Sequence, residues 1–272
     1  MKIEDFAINL LFGEKITDKL FYPDQDILIN ESKKTFLIPE TPGRSQKFKF
    51  SNKQLKFPKQ GTLSIDENRG KALHFFANHE LLAIEMMAAV LLKFPTENTE
   101  TKKLKNEILF TIKDEQKHLS LYIKRMNDFG VEFGDYPLND FFWKQVNNMH
   151  SFSDYLAIMS LTFEAANLDF AKTYQKIFSQ FDDTQSAKIM GIVFHDEIKH
   201  VHLGVEWLNK WRSSKTLWQY YIDHLPGFLT PKRSMGINFS IENRLNAGFD
   251  MDFVESLIHY EDNFAITNRK KL

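Results

Sequence analysis

Two short runs, Asp114-Glu-Gln-Lys-His118 and Asp196-Glu-Ile-Lys-His200, decide how this chain folds. In each, a Glu and a His stand three residues apart, so on an α-helix they share one face and can chelate one cation. A single Glu-x-x-His arises often on solvated helices rich in Glu and Lys. Here both pairs sit inside the apolar stripe. Glu115 shares its face with Ile108, Ile112, Leu119 and Tyr122, and Glu197 shares its face with Met190, Val193, Phe194 and Val201. A buried, unpartnered carboxylate costs several kcal/mol, so these groups need a compensating charge. Metal ions supply it.

Upstream of each run lies a second acidic helix. Glu80-Leu-Leu-Ala-Ile-Glu85 precedes the first, and Glu164-Ala-Ala-Asn-Leu-Asp169 precedes the second. Glu115 follows Glu80 by 35 residues and Glu197 follows Glu164 by 33, so the chain carries two versions of one helix pair. Glu80 lies on the face of Leu73, Ala77, Ile84, Met87 and Leu91, and Glu164 on that of Ala157, Leu161, Leu168 and Ala171. Two helices giving one Glu each and two giving Glu-x-x-His each is the ligand set of the di-iron and di-manganese carboxylate bundles. The expected metal ligands are Glu80, Glu115, His118, Glu164, Glu197 and His200. Glu115 and Glu197 are expected to bridge the two ions. Asp114 and Asp196 are expected to orient a ligand His by accepting from its second ring nitrogen. Glu85, five residues past Glu80, reads as a salt-bridge partner that can also stand in as a ligand, and Asp169 as a structural acid. Tyr122, one turn after His118, lines the pocket or packs the core. His74, His79, His195 and His202 fall off the ligand face.

The helices follow from periodicity and stop signals. Asp66 to Pro95 reads as one long helix, apolar nearly all round from Leu81 to Leu92 and therefore central. A second runs from about Glu100 to Phe129, closed by Gly130. About 20 residues, with a short helix after Pro137, lead to a third helix at about 153–181. The fourth follows at about 183–211, with Asp182 or Asp183 as its cap. The predicted fold is all-α: a ferritin-like four-helix bundle with one long crossover. Residues 1–65, broken by Pro23, Pro39, Pro42, Gly43, Pro58 and Gly61, form an irregular N-terminal arm on the bundle; 66–212 form the bundle; 213–272 form a short-helix C-terminal extension.

Composition excludes several alternatives. The chain has no cysteine, which removes disulfides, thiolate zinc sites, iron–sulfur clusters and a cysteine nucleophile. Any metal must be held by His and carboxylate, which suits iron, manganese or zinc. A net charge of −1 gives no overall field for nucleic acid, which is not an expected partner; Lys102, Lys103, Lys105, Lys232 and Arg233 read as solvated. The 26 Phe residues are read as core. Glu4 and Asp5 precede the first apolar run, contrary to a signal peptide, and no uninterrupted apolar run reaches the roughly 18 residues of a membrane span. A cytoplasmic protein with no membrane partner is expected.

The strings HELLAIE (79–85), DEQKH (114–118), GDYPLNDFFW (134–143), FEAANLDFA (163–171) and DEIKH (196–200) together resemble a bacterial ferritin-like family. It belongs to the superfamily of rubrerythrins, bacterioferritins, ribonucleotide reductase small subunits and the tRNA-modifying di-iron hydroxylase. The resemblance covers about residues 66–211 and implies the same six ligands but no substrate; unlike rubrerythrin, the chain has no cysteines for a rubredoxin module. The expected function is a di-metal oxidoreductase, di-iron before manganese–iron or zinc, activating O2 or peroxide, with monooxygenation of a small molecule as one form. Such an enzyme draws on an electron donor the sequence does not name; a homodimer is compatible. Two alternatives stay open: a ferroxidase, peroxidase or iron-handling protein, and a non-catalytic metal-stabilised binding module.

Overall fold

The longest apolar segment becomes helix α3, and its ends are set by local chemistry. The computed structural model describes residues 1–53 and 55–262. Before α3 come α1 (Ile3–Phe12) and the short α2 (Ile16–Lys19); α3 then spans Asp66–Lys93. Its amino-terminal cap is Ile65, with no side-chain hydrogen bond, so Asp66 lies inside the first turn and pairs with Arg69. It stops where Phe94, restricted by Pro95, turns extended. Every residue from Leu81 to Leu92 is buried. By length and composition α3 could cross a membrane, although Glu80 and Glu85 interrupt its apolar run; 83% of its most apolar window is buried inside the protein.

Helix α4 (Thr99–Asp128) returns antiparallel to α3. Asn98 caps it by accepting from Thr101 N at 2.9 Å. Its far end closes on Gly130 (φ 71°), with Gly130 N donating to Asn127 O and Val131 N to Met126 O, the pairing that satisfies the last carbonyls. Lys105, expected to be solvated, is instead buried, and it donates to Leu91 O and Phe94 O at 2.9 and 2.7 Å, capping the end of α3 from its neighbour. Phe76 meets Tyr122 with ring centroids 5.8 Å apart.

The chain divides into two compact units, Met1–Asn147 and Asn148–Leu272. The first holds the α3–α4 hairpin, with α1 against α3. The second holds a hairpin of its own. Helix α5 (Phe152–Ile158), capped by Ser151, runs into a π-helical turn, Met159–Glu164, and on into α6 (Ala165–Gln180). Asp182 is in the left-handed region and Asp183 is the cap of α7 (Thr184–Trp211), accepting from Ser186 N at 3.0 Å. Lys172 over the Phe194 ring and Asn167 against Glu197 give the antiparallel register. Then follow α8 (Leu217–Asp223), α9 (Ile241–Asn246) and α10 (Met251–His259). No β-strand forms among the described residues, so the all-helical expectation holds.

The arm expected at 1–65 packs within the first unit and the extension expected at 213–272 within the second; residues 263–272 of that extension lie outside the described residues. The arm begins more regularly than its breakers suggest. Ile3, Phe6, Ala7, Leu10 and Leu11 fall at helical spacing and are all fully buried, because the proline and glycine punctuation begins only at Gly13. Past α1 the arm is tied in by charge. Lys19 Nζ lies 3.0 Å from Glu85 Oε1 and Arg44 Nη2 lies 2.5 Å from Glu85 Oε2, all three side chains being buried. Lys19 also donates to Leu10 O at 2.7 Å.

Removing one member of a buried charge cluster strands the others, at a cost of about 3–5 kcal/mol. Glu85→Gln is therefore expected to lose about that much stability in urea unfolding; unchanged stability would show that Lys19 and Arg44 do not depend on Glu85.

His74 supplies a second, pH-dependent tie. Its Nε2 accepts from Gly134 N at 3.0 Å and Tyr136 N at 3.4 Å, and burial pushes its pKa down to about 4, with Asp135 opposing and Lys47 reinforcing the shift. The unfolded chain takes up this proton near pH 6.5, so stability present above that pH falls as pH drops towards 4, by about 3 kcal/mol. His74→Gln should lose less stability than the parent between pH 7 and pH 4.5; equal losses would assign the acid sensitivity elsewhere.

Candidate metal centre

Helical spacing places the candidate ligands before any tertiary contact does. In the first unit, Glu115 and His118 stand one turn apart on α4, with Glu115 Oε2 3.3 Å from His118 Nδ1. Antiparallel pairing brings Glu80 of α3 beside them, and one ligand atom from each of the three lies within 4.8 Å of the others. Glu80, Glu115 and His118 are 5%, 1% and 0% exposed. In the second unit, Glu197 and His200 stand one turn apart on α7, with Glu197 Oε2 3.6 Å from His200 Nδ1. Glu164 joins them, again with ligand atoms within 4.8 Å, and the three are 1%, 3% and 2% exposed in the order Glu197, His200, Glu164. Each unit thus assembles two carboxylates and an imidazole out of water.

That donor set fits a divalent cation. Two carboxylates this close, shielded from solvent, repel unless a proton or cation sits with them. Oxygen and imidazole donors without thiolate suit iron, manganese or zinc. The Nδ1 atom faces the neighbouring Glu in both copies, so Nδ1 is the nitrogen offered to an ion.

The surrounding residues differ between the copies. Asp196 is buried and takes Lys199 at 2.8 Å, whereas Asp114 is about one-third exposed and takes Lys117 at 3.4 Å. Glu85 is committed to Lys19 and Arg44. Asp169, its counterpart, is held by Arg244 and by Gly236 N and Ser240 N at 2.9 and 3.0 Å. Tyr122 is buried against Phe76. His79, beside Glu80, lies between the rings of Phe75 and Phe142, and burial pushes its pKa down to about 4.

Sequence spacing missed two features. Asn167 Nδ2 donates to Glu197 Oε1 at 2.7 Å, fixing one oxygen of that carboxylate. Asn167 lies three residues past Glu164, so helical spacing places it on the same face. The second is the π-helical turn that ends on Glu164; wide turns of this kind are rare and frequently mark functional sites. Gly204 of α7 permits a close approach there, since a Cβ would collide with Ser160 and Leu161. No periodicity in the sequence announces the turn.

The fold and these clusters define an all-helical protein with buried carboxylate–imidazole groups able to hold metal. The chain belongs to the family described as "Protein of unknown function (DUF455)", whose model matches residues 14–255. It is also similar, at 25% identity over 151 residues, to a protein of Haemophilus influenzae described as uncharacterized. That match covers 54% of this chain and 52% of the relative, so the chain spans about half the length of the curated relative it matches. No solved structure matches it.

Without a cation or a shared proton, Glu164 and Glu197 repel each other. Glu164→Gln is therefore expected to raise the melting temperature of metal-free protein, by a few degrees. A lowered melting temperature would mean that the carboxylate is held by something other than metal.

Proposed function

We propose that the two carboxylate–imidazole clusters are the halves of one di-metal centre in a ferritin-like four-helix bundle, and that the protein is a di-iron oxidoreductase activating O2 or peroxide. The observation that supports this most is the duplication: two separate helix hairpins each enclose one Glu and one Glu-x-x-His pair away from solvent. A surface accident has no reason to recur with the same residue types and the same burial. A structural Glu–His pair needs no second Glu from the facing helix.

Glu80, Glu115 and His118 would hold one ion and Glu164, Glu197 and His200 the other, with Glu115 and Glu197 as the shared carboxylates. When bound, such a pair of ions supplies two-electron redox chemistry with dioxygen or peroxide. The chain's own residues do the rest. Asn167 fixes one Glu197 oxygen and so biases which oxygen stays available. The apolar walls of α3 and α4 exclude water from Glu80, Glu115 and His118. The arm and the C-terminal segment are additions that a bare storage bundle lacks, and a small organic substrate is the co-reactant this reading assigns. An external reductant and a cytoplasmic setting belong to the same reading.

Anaerobic titration with Fe(II) is expected to end at two ions per chain. Admitting oxygen should consume it and give a transient visible absorption band. Glu115→Ala and Glu197→Ala should each weaken uptake at least tenfold. Turnover of Fe(II) or peroxide with no organic substrate would move the protein to the ferroxidase or peroxidase class. Tight zinc binding with no oxygen consumption would make it a metal-stabilised binding module. Failure to take up any metal would end all three readings.

A further inference from the structure

The second hairpin contains a structure that helix propensity alone does not maintain. Residues Met159–Glu164 form a π-helical turn between two α-helical stretches, whereas the corresponding helix of the first unit, α3, is regular over its 28 residues. The ligand pattern therefore does not itself require a wide turn. Such turns are rare because α geometry is more favourable, so local contacts must hold this one open. Glu164 is its last residue.

Those contacts come from Thr162 within the turn and from the C-terminal segment. Thr162 is fully buried, and its Oγ1 donates to Ala157 O at 2.8 Å, five residues back. With that proton committed, the Tyr221 hydroxyl, 2.8 Å away on α8, donates to Thr162 Oγ1. Tyr221 is itself fully buried, and burial pushes its phenol well up, so the hydroxyl keeps its proton. On the other flank, buried Arg244 of α9 donates through Nη2 to Ala165 O, the carbonyl just past Glu164, at 3.1 Å. The same guanidinium reaches Ser234 O at 2.8 Å and grips both oxygens of Asp169, the Oδ2 at 2.7 Å. The segment lies close enough that a Cβ on Gly236 would meet Ala166 O and Asp169 Cβ at 2.8 Å.

We propose that the C-terminal segment is a clamp that holds this turn wide and thereby sets the direction of Glu164, with Tyr221 and Arg244 as positioning residues. The role assigned to Glu164 rests on the metal reading above. At 3.6 residues per turn, closing the turn by one residue would rotate one flank against the other by about 100°. Glu164 stands at that joint. Its counterpart Glu80, on a regular helix, needs no such support, so the clamp makes the two halves of the centre mechanically unequal.

Four variants test this: Thr162→Val, which keeps shape and loses both hydrogen bonds; Thr162→Ser, which keeps the hydroxyl; Tyr221→Phe; and Arg244→Lys, which keeps charge and loses the fork. The readouts are amide hydrogen exchange of residues 159–165 in metal-free protein and Co(II) titration followed by visible absorption. In T162V, Y221F and R244K, exchange of that segment is expected to rise at least tenfold. One of two Co(II) ions should bind at least tenfold more weakly with shifted bands, the other staying unchanged. T162S should behave as the parent. Unchanged exchange and spectra, or equal weakening of both ions, would overturn the proposal. If the parent takes up no Co(II), the metal reading falls, and exchange alone decides whether the clamp holds the turn.

Discussion

Each unit keeps two carboxylates and an imidazole out of water on facing helices, and this desolvation is the constraint around which the rest is arranged. An ionised carboxylate in an apolar interior is costly, and two within reach of each other cost more. A protein keeps such groups together only when something of opposite charge joins them or when the arrangement is itself useful. The apolar wall of α3, buried at every position from Leu81 to Leu92, makes the cost high in the first unit. In the second, Glu164, Glu197 and His200 are as fully withdrawn from solvent.

Both units solve one mechanical problem in parallel ways. The acid five residues past the first ligand, Glu85 in one and Asp169 in the other, is buried and held by an arginine from outside the hairpin. Arg44 comes from the amino-terminal arm and Arg244 from the carboxy-terminal segment. A bidentate guanidinium fixes a carboxylate in direction as well as distance, which a lysine does not do. Each latch therefore ties a terminal segment to the helix that carries a candidate ligand, five residues from it. The parallel stops at the π-helical turn, present only in the second unit among the described residues.

Much of this was legible in the sequence. The all-helical class, the four long helices and the turns at Pro95, Gly130 and Asp183 follow from spacing and stop signals, and so do the inward faces of all six candidate ligands. The helix over Ile3–Phe12 has its own helical spacing of apolar residues, but it is short and stands before a proline-rich arm whose composition points to irregular structure. Other features were beyond reach. Lys19, Arg44 and Arg244 are ordinary surface residue types whose partners lie 66, 41 and 75 positions away, and local spacing carries no information at that range. The wide turn depends on Tyr221 and Arg244, so the residues inside it do not encode it alone. Asp114 and Asp196 look identical in sequence yet differ in burial, which the repeated Asp-Glu-x-Lys-His pattern does not encode.

The most direct test is an anomalous-scattering map at the iron absorption edge from crystals of protein loaded with Fe(II). The account predicts two peaks per chain, one within bonding distance of Glu80, Glu115 and His118 and the other of Glu164, Glu197 and His200. A map without peaks, or with peaks only at surface histidines, would contradict it.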